Sequence, residues 1–418
     1  MKKFILAFAV CFGIGFQAVA ESGQPVYDEW FTDGRLRLDL VFSGNAEGQS
    51  VWLQSVHFEK NWSGPRQHLL PPFDYGGYQL DVYDSATSTR IYSIGFCSLF
   101  AEWRTTEEAR RLDKAFSQSL RMPCPKQPVK AVISARRLRD GQMATLGEFG
   151  IDPADLSINR EQANSWKVTA LADNGPADRK VDLVFLAEGY TADEMPKFLS
   201  DARRMADCLF TMEPYKHHRD DFNLWAVESV SEESGPDIPH QNIWHNTVAG
   251  SSFYTFYTDR YLTAPDQRLV ATLACQAPCD ALCVLVNTDK YGGGGIYNFY
   301  ALCASDGRFA NEVFIHEFGH SFAGLGDEYY ESETAYNDMY PLTVEPWEPN
   351  ITTCVDLGRK WQDMMNVPGV GLFEGGGYSA RGIWRPAEDC RMKTNTAEGF
   401  CPVCQRAIAR MIDYWCDR

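Results

Sequence analysis

The chain is short of positive charge. Lys and Arg total 39 against 56 Asp and Glu in 418 residues, a formal charge of -17. A surplus of that sign repels phosphate backbones and anionic lipid, so nucleic-acid binding is not expected. No internal repeat or low-complexity tract occurs. Beyond the first twenty residues, no apolar run approaches the roughly 20 residues of a membrane span. Gly-x-Ser-x-Gly is absent, which leaves serine-hydrolase chemistry without support. The glycine run 292–295 lacks the Lys-Ser/Thr ending of a phosphate loop, so nucleotide binding is not expected either.

What is present points to an exported, folded protein. Hydrophobic residues make up 44% of the chain, with 11 Trp, 19 Tyr and 25 Phe, too aromatic for a disordered one. Residues 1–20 read as a signal peptide: Lys2 and Lys3, an apolar stretch from Phe4 to Phe16, then Ala18-Val19-Ala20 for cleavage. The expected location is periplasmic or extracellular, with no membrane insertion after cleavage. Cleavage after Ala20 would remove Cys11 and leave twelve of the thirteen cysteines. An even count in an exported chain favours disulfides, and Cys97 and Cys124, alone in the N-terminal region, are expected to pair.

The mature chain reads as an α+β protein of two domains. Residues 21–160 suggest an N-terminal β-sandwich of accessory character. Leu36, Leu38, Leu40 and Phe42 alternate with Arg37, Asp39 and Val41, the pattern of a half-buried strand. Similar runs lie at 51–58, 78–83, 90–96 and 129–135, and a helix is expected over 106–120. Residues 161–180 are polar and read as a linker. From 181 to 418 strand and helix alternate, the signature of an α/β domain.

Chemistry concentrates in Asn311-Glu312-Val313-Phe314-Ile315-His316-Glu317-Phe318-Gly319-His320. On a helix, His316 and His320 project from one face toward a common point, a geometry that suits two nitrogen ligands of Zn²⁺. Glu317 lies beside that point, where it can serve as general base toward an attacking water. The apolar residues around them make a buried helix rather than a solvated one. Catalytic zinc takes a third protein ligand. Gly324 and Gly326 can turn the chain back, so Asp327 is the first candidate, with Glu328, His240 and His245 as alternatives. Cys401-Pro402-Val403-Cys404 reads as half-cystines tying the last helix to the segment near Met392, rather than as a redox pair.

These motifs resemble the IgA peptidase family of exported zinc metallopeptidases. The resemblance runs from Phe31-Thr32-Asp33-Gly34-Arg35 through Ala187-Glu188-Gly189-Tyr190-Thr191, Glu213-Pro214-Tyr215, Phe222-Asn223-Leu224 and Glu233-Ser234-Gly235. It continues to Asn287, Tyr291-Gly292-Gly293 and the His316 segment through Tyr330. It implies zinc on His316, His320 and Asp327 with Glu317 as base. The catalytic part is also similar to metzincins, but Gly324 and Asp327 each fall one residue later than in that group. Cys390-Arg391-Met392 resembles the metzincin Met-turn, with Met392 as an apolar floor under the metal. Lys393 and Thr394 follow it, so no tyrosine occupies the position where some metzincins stabilise the oxyanion.

The expected function is that of a zinc endopeptidase with protein or peptide substrates, acting as a monomer. Tyr291, Gly292 and Gly293 are expected at the rim of the substrate cleft. A non-catalytic surface-binding protein on the same scaffold is the alternative, and intact Glu317 argues against it.

Overall fold

The computed structural model describes residues 23–162, 166–330 and 339–418. Residues 1–20, read as a signal peptide, lie outside them. None of the described helices is long and apolar enough to cross a membrane.

After the short helix α1 (Tyr27–Trp30), the N-terminal part consists of β1 (Phe31–Gly44), β2 (Gln49–Glu59), β3 (Tyr78–Asp84), β4 (Arg90–Phe96), helix α2 (Leu99–Trp103), β5 (Lys114–Pro125), β6 (Val129–Arg136) and β7 (Met143–Ile151). Two antiparallel sheets result, ordered β2-β1-β5 and β4-β3-β6-β7. They share one core. Leu36, Leu38, Leu40 and Phe42 of β1 are fully buried in it with Leu80, Val82 and Ile133. Phe42 packs edge-on against Tyr78 of the facing sheet, with ring centroids 4.9 Å apart.

Two expectations fail here. The helix expected over 106–120 is not formed: only isolated turns follow α2 up to Arg111, and Lys114–Pro125 is a strand. Its pairing with β1 from Phe31 to Gly44 outweighs the local helical pattern. Nor is β1 half-buried. Arg35, Arg37 and Asp39, on the face opposite the leucines, are buried too, because a helix of the second half covers them.

The second half carries a six-stranded sheet ordered β12-β13-β11-β9-β10-β8. Its strands are β8 (Lys167–Ala172), β9 (Val181–Glu188), β10 (Phe222–Glu228), β11 (Ala281–Val286), β12 (Gly293–Ile296) and β13 (Tyr300–Ala304). The four central strands are parallel, and β8 and β12 run antiparallel at the edges. The stretch 161–180, read as linker, thus contains an edge strand. Every residue of β9 is buried, as a parallel strand covered on both faces requires. Leu183 and Phe185 face α3 (Met195–Leu209), α5 (Ala310–Ala323) and α6 (Pro402–Trp415). Val184 and Leu186 face α4 (Gln267–Ala274). Helix α3 begins after a turn in which the Thr191 backbone N–H donates to Glu194 Oε2 at 2.9 Å. A hairpin of β14 (Phe373–Gly376) and β15 (Ser379–Arg385) completes the fold.

Glu188 explains part of the Ala187-Glu188-Gly189 motif. Fully buried, it accepts from the backbone N–H of Ala249 and of Ser251, each at 2.8 Å, and ties that loop to the sheet. The expected disulfides are not seen: all twelve described cysteines carry free thiols. Cys97 packs beside the second-half cores, whereas Cys124 lies in the N-terminal core.

Buried charge joins the two halves. Glu59 accepts from Arg35 Nε at 2.6 Å and Arg37 Nη1 at 3.1 Å, and Arg121 Nε stands 3.3 Å away. Arg37 also donates to Thr272 Oγ1 and Arg121 to the Ala271 carbonyl, both on α4. Burial would raise the Glu59 carboxyl, but the three arginines outweigh it and hold the group below its ordinary value. Glu59→Ala is expected to destabilise the protein by about 3–5 kcal/mol in denaturant unfolding, because it removes the carboxylate shared by two buried guanidinium groups and the partly buried one of Arg121. A loss under about 1 kcal/mol would mean that the network behaves like a solvated surface one.

Candidate metal centre

Helix α5 places both histidines. Val313, Phe314, Ile315, Phe318 and Phe322 bury its far side, leaving His316 and His320 one turn apart on the side that opens to a cleft. The helix stops at Gly324, whose φ of 62° lies in the left-handed region and whose absent Cβ would stand 2.8 Å from Trp347. The reversal lets the Leu325 carbonyl accept from His320 Nδ1 at 2.5 Å. It also brings Asp327 back over the helix. Asn350, fully buried, fixes the turn: its Oδ1 accepts from the Gly326 N–H at 2.7 Å, and its Nδ2 donates to the Gly326 carbonyl at 2.9 Å.

Three atoms converge as a result. His316 Nε2 and His320 Nε2 are 3.0 Å apart, and Asp327 Oδ1 stands 3.0 and 3.2 Å from them. The second carboxylate oxygen of Asp327 accepts from the Tyr378 hydroxyl. Tyr378 lies in the β14–β15 turn, where Gly377 and Tyr378 both have positive φ. The Arg391 carbonyl accepts from His316 Nδ1 at 3.0 Å. Met392 follows, fully buried, with its sulfur under Gly319 of the same helix.

The cleft, about 150 Å³, is lined by Glu317, Arg260, Gly293, Gly294, Gly295, Tyr329 and Tyr378 among others. Strand β12 lies flush on α5. A Cβ at Gly295 would meet the Glu317 carbonyl at 2.5 Å, and one at Gly293 would meet Val313 at 2.8 Å. The glycine run is therefore a close-packing device. Burial raises the Glu317 carboxyl above its ordinary value, against the pull of His316 and His320. Tyr329 stacks over His316, with Arg260 against its ring.

The structure gathers His316, Glu317, His320, Asp327 and Met392 in one place. Glu328 turns away from the histidines, into a separate cluster. His240 pairs with Asp259 at 2.9 Å and His245 Nδ1 contacts the Pro236 carbonyl, so neither joins the centre. Of the three rim candidates, Gly293 lines the cleft. Tyr291 is exposed and bonded to Asn395, and the Gly292 carbonyl accepts from the Ala304 N–H of β13. Sequence reasoning missed Asn350, Tyr378, Tyr329 and Arg260. None carries a local motif beyond the Gly377-Tyr378 turn.

Residues 169–368 and 366–412 match the family model of IgA Peptidase M64, and residues 26–146 match that of the Peptidase M64 N-terminus. The chain belongs to the IgA peptidase M64 family. No curated protein matches it. Membership makes this M64 protein a peptidase, a hydrolase of protein or peptide substrates, with an N-terminal domain preceding the peptidase domain. M64 peptidases are metallopeptidases, and this one holds a group of possible metal ligands in His316, Glu317 and His320.

The side chains of this M64 centre fit a cation. Each imidazole directs Nδ1 at a backbone carbonyl, which leaves Nε2 as the free lone pair in the neutral ring. Asp327 Oδ1 is buried and lacks a well-aligned hydrogen-bond donor despite its two close nitrogen neighbours. Three acceptors facing one another at 3.0–3.2 Å repel unless something positive lies among them. Edges of about 3.3 Å describe a tetrahedral site with bonds of about 2.0 Å, close to the spacing seen.

In the metal-free chain a proton takes that role. Burial disfavours the His320 cation, but the Asp327 carboxylate more than offsets it and raises the imidazole from 6.5 to about 9. The proton stabilises the metal-free fold fully below 6.5, and that contribution is lost as pH rises through about 9. Uptake of a divalent cation must expel it. Near neutral pH the wild type is expected to release about one proton per chain more than His320→Ala, measured calorimetrically in buffers of different ionisation enthalpy. The difference should shrink above pH 9. Equal release from both proteins at neutral pH would contradict the assignment.

Proposed function

We propose that this M64 peptidase is an exported zinc endopeptidase whose metal is held by His316, His320 and Asp327, with Glu317 as general base. The observation that carries the reading is the convergence of two imidazole Nε2 atoms and one buried carboxylate oxygen beside a cleft that also contains Glu317. Zinc bound there would polarise the scissile carbonyl and acidify water. Glu317 takes the proton of the attacking water and passes it to the leaving amine. Its raised affinity for protons makes it a stronger base than an ordinary carboxylate. Arg260, held against Tyr329, brings positive charge to the cleft wall where charge develops on the carbonyl oxygen.

An extended peptide would add along the outer edge of β12, pairing with the sheet as one more strand. β12 is an edge strand, although Gly293 is already bridged to Tyr261, so the open edge begins beyond that residue. The domain reading is a β-sandwich accessory domain over 21–160, a connection over 161–180 and a metzincin-like catalytic domain over 181–418. Met392 forms the floor beneath the helix. Export rests on the sequence of residues 1–20.

Glu317→Ala is expected to retain its metal and to lose about 10²–10⁴-fold in kcat/KM on an unstructured protein substrate. Zinc analysis beside a cleavage assay reads both. A proteomic search for fragments made by the wild type and not by the variant would then give the substrate. Undiminished cleavage by Glu317→Ala would sink the assignment of the base, and a zinc-loaded wild type that cleaves nothing would favour a binding protein on the same scaffold.

A further inference from the structure

A second group of metal-ligating side chains lies behind the first. Glu328, Cys390, Cys401 and Cys404 are all buried, and their ligand atoms all lie within 4.8 Å of one another. Cys390 Sγ and Cys404 Sγ are 3.8 Å apart, and Cys404 Sγ is 3.1 Å from Glu328 Oε1. A tetrahedral site with zinc–sulfur bonds of about 2.3 Å has sulfur–sulfur edges of about 3.8 Å. The other carboxylate oxygen, Glu328 Oε2, is buried without any hydrogen-bond partner. Three thiols and a carboxylate gathered away from water with an orphaned oxygen are a costly arrangement for an apolar interior.

The geometry points to a closed, structural Cys₃Glu zinc site formed by Cys390, Cys401, Cys404 and Glu328. Zinc replaces the protons of the three thiols, which leave to solvent, and no electrons move. Soft thiolate ligands select zinc over magnesium or calcium. Surrounding groups suit the excess negative charge of such a site. The Cys401 N–H donates to Cys390 Sγ at 3.3 Å, and Asn350 Nδ2 donates to Glu328 Oε1 at 2.9 Å. Cys401 stands at the N-cap position of α6 and Cys404 lies in its first turn, at the positive end of a 14-residue helix. Disulfide formation is the competing fate in an exported protein. It would have to close 3.8 Å between Cys390 and Cys404 to about 2.05 Å, or join Cys401 to one of them. Either way it leaves one thiol and Glu328 buried together.

The site also has a consequence for the first centre. Asp327 and Glu328, adjacent in sequence, serve opposite clusters. Cys390 belongs to the thiol cluster, the Arg391 carbonyl orients His316, and the Met392 carbonyl accepts from the Glu328 N–H at 2.9 Å. A metal on the cysteines therefore clamps the turn that positions a catalytic-centre histidine.

The existence of this site does not depend on the peptidase reading, and the test separates the two. Full-length wild-type protein, matured by its own export route, should contain two zinc ions per chain by elemental analysis, and a His316→Ala/His320→Ala variant should keep one. Loaded with cobalt(II), that variant should show the near-ultraviolet charge-transfer band of a thiolate-bound ion, which a nitrogen–oxygen site cannot give. Cys404→Ser should lose one zinc and the band. If Cys404→Ser does not fold, the cobalt spectrum of the histidine variant still decides. A disulfide among Cys390, Cys401 and Cys404 in the mass map, or a histidine variant that holds no metal and shows no thiolate band, would overturn the proposal.

Discussion

Three hydrogen-bond acceptors brought face to face are the constraint on which the catalytic half depends. Nitrogen lone pairs of His316 and His320 and one oxygen of Asp327 converge within 3.2 Å, an arrangement that is repulsive unless a cation or proton lies among them. It survives because each member is held from behind. The Leu325 carbonyl holds one ring, the Arg391 carbonyl holds the other, and the Tyr378 hydroxyl holds the carboxylate. Those three supports come from the end of α5, the segment before α6, and the β14–β15 hairpin. Elements with no strong preference of their own are thus ordered around one point.

The turn after α5 is where the chain concentrates that ordering. Gly324 supplies the left-handed residue, Asn350 pins Gly326 by two hydrogen bonds, and the next two side chains diverge. Asp327 returns to the imidazoles, and Glu328 enters the buried thiol cluster. A backbone shift of one residue would exchange the two carboxylates between environments that need different partners. The close approach of β12 adds a second restraint, since its glycines leave the helix no room to move toward the sheet edge.

The N-terminal sheets do more than sit beside this assembly. Their charged outer face is buried against α4, with Glu59 balancing three arginines. At the far end of the chain, Asp417 accepts backbone N–H groups of Arg66 and Gln67 at 2.7 and 3.0 Å. Buried ionic contacts of this kind favour one docking geometry, because any other leaves desolvated charge unpaired.

Local pattern in the sequence determined a good deal. The i, i+4 histidines with Glu317 and the alternating apolar residues of β1 are each read from neighbours a few residues apart, where helix and strand geometry alone decides which side chains share a face. Partners distant in the chain were decided only by tertiary structure. Asn350 and Tyr378 reach Asp327's turn from more than twenty residues away, so no spacing rule finds them. Strand β5 forms where local pattern favours a helix, because its pairing with β1 is non-local. The buried face of Arg35, Arg37 and Asp39 looked like a solvated one, since α4, which covers it, lies more than two hundred residues further along. Spacing left Asp327 and Glu328 as alternatives; which carboxylate meets the imidazoles depends on the direction of the chain after Gly324, and long-range packing set that direction.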